Sequence, residues 1–539
     1  MSDRGGAGGA GGPDEASGRC ELTVNMHQRI AHIRPGLTAL DAFADNLALV
    51  GSALDGAGVR HFAVRGMDDR IPVVGVCADD RERVVKALVK LFERITGYVM
   101  SVLPKPPLPA PLHPGEAKAT WTELAGASVI RLVWFRTEPT RSLVLGEAYG
   151  CELEFWTRQR DKDRLLCPRH NRMMRVVPIA DEPVQAPAGL FTRLAPLRPG
   201  ARPALPQVRT RPEFTHRLPD EIDFPVDVVY TWVDGLDPDW RRRKAEAAGR
   251  TYHDESASDA RFINRDELRY SLRSLHSNAP WVRNIYILTD DQTPSWLDTS
   301  RPNVHVVSHK DVFSDPSVLP VFNSHAIESQ LHHIDGLAEH FVYFNDDMFV
   351  GRPLAPQAFF LANGLSKMFF SQTRVPLRPV APADTPVDAA LKNNRVLIER
   401  EFGRTVTQTF QHVPYPLRRS VLTELEERFA DEHRATMASR FRSLGDISIP
   451  SSLYHYYAFA TGRALPSSMR YGYIQLAVPD LADRLARLLA RRDWDVFCLN
   501  DAFSTELDLV AQNELLLPFF EAYFPVASPY EKQGGRGDG

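Results

Sequence analysis

Apolar residues follow two textures along this chain, and the change lies near residue 225. Beyond it, nearly continuous apolar runs at 226–232, 284–288, 304–307 and 341–344 alternate with stretches of helical period. Such runs suit strands buried on both faces, which predicts an α/β domain with a central, mostly parallel sheet. Two of its helices can be placed. One covers 267–278, with Leu268, Leu272 and Leu275 on one stripe, Asn264 as N-cap, Glu267 three residues later and a stop before Pro280. The other is predicted over 326–340, with Ile327, Leu331, Ile334 and Ala338 on one stripe and Asn323 or Ser324 as cap.

Earlier in the chain the pattern is more mixed. Residues 61–64 and 71–77 read as strands, 79–94 as a helix capped by Asp79, and 129–135 and 151–156 as further strands beyond a Pro-rich loop at 103–114. This predicts a smaller amino-terminal α/β or α+β domain of unknown role. Residues 1–19 and 526–539 read as flexible tails, 20–193 as the first domain, 194–224 as a Pro/Arg-rich linker and 225–525 as the larger domain. Two cores are expected in 539 residues, because single cores stop growing at roughly 250–300 residues.

Composition narrows the partners. Hydrophobic residues make up 43% and charged residues 24%, the usage of a folded globular protein. A net charge of −4 provides no positive field of the kind that holds polyanions, which argues against nucleic acid. Five cysteines, odd in number and scattered, fit a reducing compartment. No apolar signal region opens the sequence, and no apolar run approaches the ~18 residues of a transmembrane segment. The expected location is cytoplasmic, with peripheral attachment to a membrane assembly left open.

Candidate chemistry lies at strand ends. Asp234, then Asp290 and Asp291, then Asn345, Asp346 and Asp347, then Asn500 and Asp501 each follow an apolar run, at the edge where open α/β sheets bind ligands. Any one of these is an ordinary turn former. Together they point to a hard divalent cation, Mg²⁺ or Mn²⁺, bridging carboxylates to a diphosphate. Asp346 and Asp347 can serve one ion only if the strand ends and the chain turns there. On the helix predicted after Asn323, Ser324, Glu328 and His332 stand at i, i+4 and i+8, a face that suits either sugar hydroxyls or plain solvent. Arg269 and Arg273 share a helix face in the same way and can meet phosphate or water. Cys151, Cys167 and His170 lack a fourth nearby ligand for a zinc site.

The motifs are long enough to resemble a family. Asp227-Val-Val-Tyr-Thr-Trp-Val-Asp234, Asp266-Glu-Leu-Arg-Tyr-Ser-Leu-Arg273, Ile285-Tyr-Ile-Leu-Thr-Asp290, Phe322-Asn-Ser-His-Ala-Ile-Glu328 and Tyr343-Phe-Asn-Asp-Asp347 resemble, in order, the conserved regions of the Stealth family. Gln411-His412-Val-Pro414, Phe441-Arg442 with Asp446, and Cys498-Leu-Asn500-Asp501 continue the resemblance. That family contains bacterial capsular and exopolysaccharide phosphotransferases, and the lysosomal-enzyme N-acetylglucosamine-1-phosphotransferase of animals is similar.

The resemblance implies a glycosyltransferase-A-like catalytic domain, a nucleotide-sugar donor, a divalent metal and transfer of hexose-1-phosphate to a glycan acceptor. It implies that His412 is the catalytic histidine, as base or as nucleophile, and that Arg442 handles phosphoryl charge. Asp346, Asp347 and Asp501 are then the metal candidates. Asp234 joins the catalytic set although the animal enzymes carry Asn there. Asp227, Arg269, Asn323, Ser324, Glu328, His332 and Asn500 become substrate-binding candidates. Without the resemblance, His412, one of 17 histidines, reads as a turn residue before Val-Pro. A conventional glycosyltransferase releasing nucleoside diphosphate, or an inactive sugar-binding scaffold subunit, is the alternative.

Overall fold

The computed structural model describes residues 18–102, 111–196, 205–249, 264–501 and 506–532. Residues 1–17 and 533–539 of the tails expected at 1–19 and 526–539, and most of the Pro-rich loop, lie outside the described residues. The chain divides into two compact units at about residue 217.

In the first unit a ten-stranded sheet is mostly antiparallel, with Cys151–Gln159 parallel to Val73–Cys77. Two helices, Ala39–Gly56 and Arg81–Arg94, bury their apolar stripes in the same core as the sheet, around Phe43, Phe62, Trp134 and Trp156. Thr38 and Asp41 form a reciprocal capping box that starts the longer helix. Segregated helices on a largely antiparallel sheet make this an α+β unit, one of the two forms expected. Part of the stretch read as linker belongs to it: Gln207–Thr210 is a strand paired with Val184–Pro187 and with His61–Val64. Its alternating Val208 and Thr210 are buried, so a short two-residue period was masked by the surrounding prolines and arginines.

The second unit is α/β. Strand β1 (Val226–Thr231) is followed by helix α1 (Glu267–Asn278), β2 (Ile285–Thr289), β3 (Val304–Ser308), helix α2 (Ser324–Glu328), β4 (His340–Asn345) and β5 (Met348–Val350). Then come β6 (Tyr415–Arg418), α3 (Arg419–Arg428), α4 (Ala430–Met437), β7 (Tyr471–Gln475) and β8 (Val496–Asn500). The main sheet has the order β3-β2-β1-β4-β6, parallel except for β6. Every residue of β2 is buried, as are the first five of β1 and β4, which is the covered parallel sheet that the continuous apolar runs predict. A second sheet, β5-β8-β7, receives the chain directly after β4.

Three local expectations need correction. The helix predicted over 326–340 is only α2 plus a 3-10 turn at Leu331–His333, because Gly336 adopts φ +73° and the chain must re-enter the sheet at His340. Helix α1 is capped at Asp266 in the left-handed conformation, while the Asn264 side chain accepts from the Asp266 N–H. Residues 526–532, read with the carboxyl tail, are packed: Val526, Tyr530 and Glu531 are buried, and Glu531 gathers Arg269 and Arg273. No helix among the described residues is long and apolar enough to cross a membrane.

Candidate active site

Strand pairing builds the site. β4 runs parallel to β1 and ends at Asn345, and the chain turns at Asp346 and Asp347 before starting β5. β6 lies antiparallel to β4 with Tyr415 opposite Tyr343, so the residues just before β6, including His412, arrive at the carboxyl end of β4. β5 pairs antiparallel with β8, placing Met348 opposite Cys498 and the end of β8, Asn500 and Asp501, near the same turn. Three segments far apart in sequence therefore meet at one sheet edge.

Ligand-type atoms of Asp347, His412 and Cys498 lie within 4.8 Å of one another. Cys498 Sγ donates to Asp347 Oδ2 at 3.2 Å, and Asn500 Nδ2 donates to the same oxygen at 3.4 Å. Asp347 Oδ1 is buried with no hydrogen-bond partner among the described residues. Burial, with the charges of Asp347 and Glu267 close by, pushes the Asp346 carboxyl well above the usual carboxylate range. Burial likewise raises Glu267, against the opposing charge of Arg265. Arg265 also pairs with Asp501, which joins Asp501 to this acidic group through a guanidinium.

Along the other side, the His412 Nδ1 is 3.2 Å from the Tyr415 hydroxyl. Burial lowers the His412 imidazole below its ordinary pKa and Asp347 opposes that, the burial prevailing. Tyr415 stacks with Tyr343, whose hydroxyl donates to Glu328 Oε1 at 3.1 Å and also meets the Thr231 hydroxyl at 2.8 Å. The Glu328 carboxyl is raised by burial, with His325 and Arg442 pulling it down less strongly. Arg442 donates to Ser324 Oγ at 2.8 Å. Asp346, Asp347, His412, Arg442, Ser324, Glu328, Asn500 and Asp501 thus belong to one continuous constellation.

Other sequence candidates do different work. Asp227 sits at the opposite end of β1, wholly buried, bonded to Arg283 and to the N–H groups of Asn284 and Ala338. Its partner in the β4 register is Phe341, four residues or about 13 Å short of the acidic edge. Arg269 Nε donates to Glu531 Oε2 at 2.7 Å, and Arg273 binds the same carboxylate, so the helix face open to phosphate or water in the sequence is an internal ion pair. His332 leaves the Ser324–Glu328 face because the helix ends first; its Nε2 meets Glu426 at 2.6 Å. Asn323 is buried and donates to Asp446 Oδ2 and to the carbonyl of Ser439, bracing the loop that carries Arg442. The Asp234 carboxylate accepts the Leu236 N–H, a turn-forming contact. Asp290 and Asp291 pair with Arg243 and Lys310.

Sequence reasoning passed over Tyr343, Tyr415, Glu267, Arg265 and the Cys498 thiol. All five stand inside or directly beside the quoted motifs, and their polar atoms are the only signal that marks them out from core residues.

Comparison with known proteins follows the same segments. Four family models match: Stealth protein CR1, conserved region 1, over residues 224–252; CR2 over 261–368; CR3 over 411–459; and CR4 over 486–537. Exopolysaccharide phosphotransferase SCO6021 of Streptomyces coelicolor is 52% identical over 526 residues, 97% of this chain and 96% of its own. Exopolysaccharide phosphotransferase CpsY of Mycobacterium tuberculosis is 35% identical over 513 residues, 95% of this chain and 92% of its own. The crystal structure of galactosyltransferase LgtC with donor and acceptor sugar analogs aligns with 56% of this chain and 96% of its own, at 10% identity and a TM-score of 0.30, too weak a likeness to bear on fold or chemistry. With conserved regions two, three and four supplying the β4 turn, His412 and the end of β8, and with relatives matching along nearly its whole length, the chain belongs to the Stealth family.

Proposed function

We propose that this chain is a transferase that moves hexose-1-phosphate from a nucleotide-sugar donor to a hydroxyl of a glycan acceptor, in exopolysaccharide or capsule synthesis. The observation that carries the reading is the meeting of His412 with the Asp347 carboxylate at the sheet edge, within reach of Arg442 through Tyr415, Tyr343 and Glu328.

The transfer breaks a phosphorus–oxygen bond inside the donor diphosphate and forms one from the acceptor oxygen to the sugar-bearing phosphorus. Nucleoside monophosphate departs, and charge gathers on phosphoryl oxygens, so positioning and electrostatics dominate the catalysis. Arg442 offers a planar fork of donors to those oxygens. His412, kept neutral by burial, has a lone pair for the acceptor proton, and Tyr415 orients its ring. The same lone pair serves if His412 attacks phosphorus first and the acceptor displaces it. Glu328 and Ser324 face the sugar.

A divalent ion fits the residues present. Among the described residues Asp347 Oδ1 has no hydrogen-bond partner, and the adjacent Asp346 carboxyl is buried beside like charge, so the two offer hard oxygen donors to a cation. Mg²⁺ or Mn²⁺ held there would neutralise the donor diphosphate. Asp501 joins such a set only by leaving Arg265. Five free thiols support a cytoplasmic location, where nucleotide sugars are at hand.

Incubating the purified protein with a panel of nucleotide sugars, Mg²⁺ and acceptor glycan tests this reading. Release of nucleoside monophosphate is expected. Nucleoside diphosphate would make the protein a conventional glycosyltransferase, and donor binding without release would make it a sugar-binding scaffold.

A further inference from the structure

Away from the sheet edge, the structure gathers three imidazoles around one carboxylate. Glu426 on α3 has its Oε2 at 2.6 Å from His332 Nε2 and 2.9 Å from His333 Nε2, while its Oε1 lies 3.8 Å from His433 Nδ1 on α4. His332 and His433 are buried, and the His333 and Glu426 side chains are each 28% exposed, so one side of the cluster is open to water.

The far side of two of the three rings fixes what the near side can do, while His332 Nδ1 is buried with no hydrogen-bond partner among the described residues. His333 Nδ1 is 2.8 Å from the Val312 carbonyl and His433 Nε2 is 3.1 Å from the Ser329 carbonyl. A carbonyl only accepts, so those nitrogens carry the hydrogens, and the neutral rings turn lone pairs toward Glu426. An ionised carboxylate also has only lone pairs to offer. Two electron-rich groups facing each other at 2.9 Å need a positive centre between them. A proton on His333 is one, and a metal ion is another.

We propose that His332, His333 and Glu426 form a Zn²⁺ site with water as the fourth ligand and His433 standing by at the carboxylate's second oxygen. Ligand-type atoms of the three lie within 4.8 Å of one another, and the donors are of the borderline and hard kinds that zinc takes from histidine and carboxylate. A backbone carbonyl holding the distal ring hydrogen, as that of Val312 does for His333, is a usual support of a metal-bound histidine. Zinc bonds of about 2 Å in a tetrahedron set ligand atoms about 3.3 Å apart, so the 2.6 Å and 2.9 Å contacts of Glu426 with His332 and His333 would open by roughly 0.7 Å and 0.4 Å. Such an ion would tie the turn after α2, which carries Ser324 and Glu328, to helices α3 and α4, the second of which leads to Arg442.

The test is metal binding by the full chain, independent of any transferase activity. Protein purified after equilibration with zinc and desalted should retain about one equivalent. Cobalt should bind with visible d–d absorption and no sulfur-to-metal charge-transfer band, since no thiol is among the ligands. His333→Ala and the near-isosteric Glu426→Gln, each checked for native circular dichroism, should weaken zinc binding at least tenfold, while Cys498→Ser leaves this equivalent in place. Absence of bound zinc and cobalt in the parent protein overturns the proposal. So does a sulfur-to-cobalt band together with loss of the metal in Cys498→Ser, which would place the ion with Asp347 and His412. Unchanged binding in both His333→Ala and Glu426→Gln overturns it as well.

Discussion

The thiol of Cys498 points at Asp347, donating to Oδ2 at 3.2 Å from the strand opposite Met348. Burial first, and then the Asp347 charge, push this thiol far above its ordinary pKa, so it remains a donor and not a thiolate nucleophile. Cys498→Ser keeps a donor in place and should hold kcat/KM within a few-fold. Cys498→Ala leaves Asp347 with one partner fewer, a loss on the order of 1–3 kcal/mol, or roughly ten- to a hundredfold in rate if Asp347 serves the reaction. Equal rates for the alanine and parent proteins would remove the thiol from the site.

Replacement of His412 by alanine should lower kcat by about 10²–10⁴-fold, the range for losing a positioned proton acceptor. The variant should keep its native circular dichroism, and donor affinity by calorimetry should persist. A kcat within tenfold of the parent would exclude both roles considered for the imidazole.

Arg442 meets Ser324 Oγ at 2.8 Å and its charge lies near Glu328. Lysine retains the charge but not the planar fork, so Arg442→Lys should lose about tenfold to a hundredfold in kcat/KM. Ser324→Ala should cost far less. Steady-state kinetics on both variants checks the order, and a larger defect in Ser324→Ala would contradict it.

Glu531 is buried between Arg269 and Arg273 and its carboxyl is held down at about 2, mainly by the Arg273 contact against the cost of burial. A depressed folded-state pKa gives stability that is complete above the unfolded value of about 4.3 and is lost as pH falls toward the folded value. Glu531→Gln should therefore destabilise the second unit by about 3 kcal/mol at pH 7, with the deficit shrinking below about pH 4. Urea unfolding followed by tryptophan fluorescence at the two pH values measures it; a deficit independent of pH would mean that packing, not charge, is what Glu531 contributes.

Much of this protein could be read from neighbouring residues alone. The apolar runs marked β1 to β4 and β8, and the acids that follow them, are properties of a few consecutive positions, since a strand covered on both faces leaves a continuous apolar signature and its polar end falls where the sheet edge must be. The turn at Asp346 and Asp347 was likewise implied by the need for both carboxylates at one place. What each polar side chain does was decided only by the fold. Asp227, Arg269 and Asn323 look like ligands in sequence and are partners of Arg283, Glu531 and Asp446, residues 56, 262 and 123 positions away. His332 left the proposed sugar face because its helix stopped at Glu328, and it found Glu426, 94 positions on. A carboxylate or imidazole is satisfied by whatever charge tertiary packing brings within about 3 Å, and spacing along the chain carries no information about that partner.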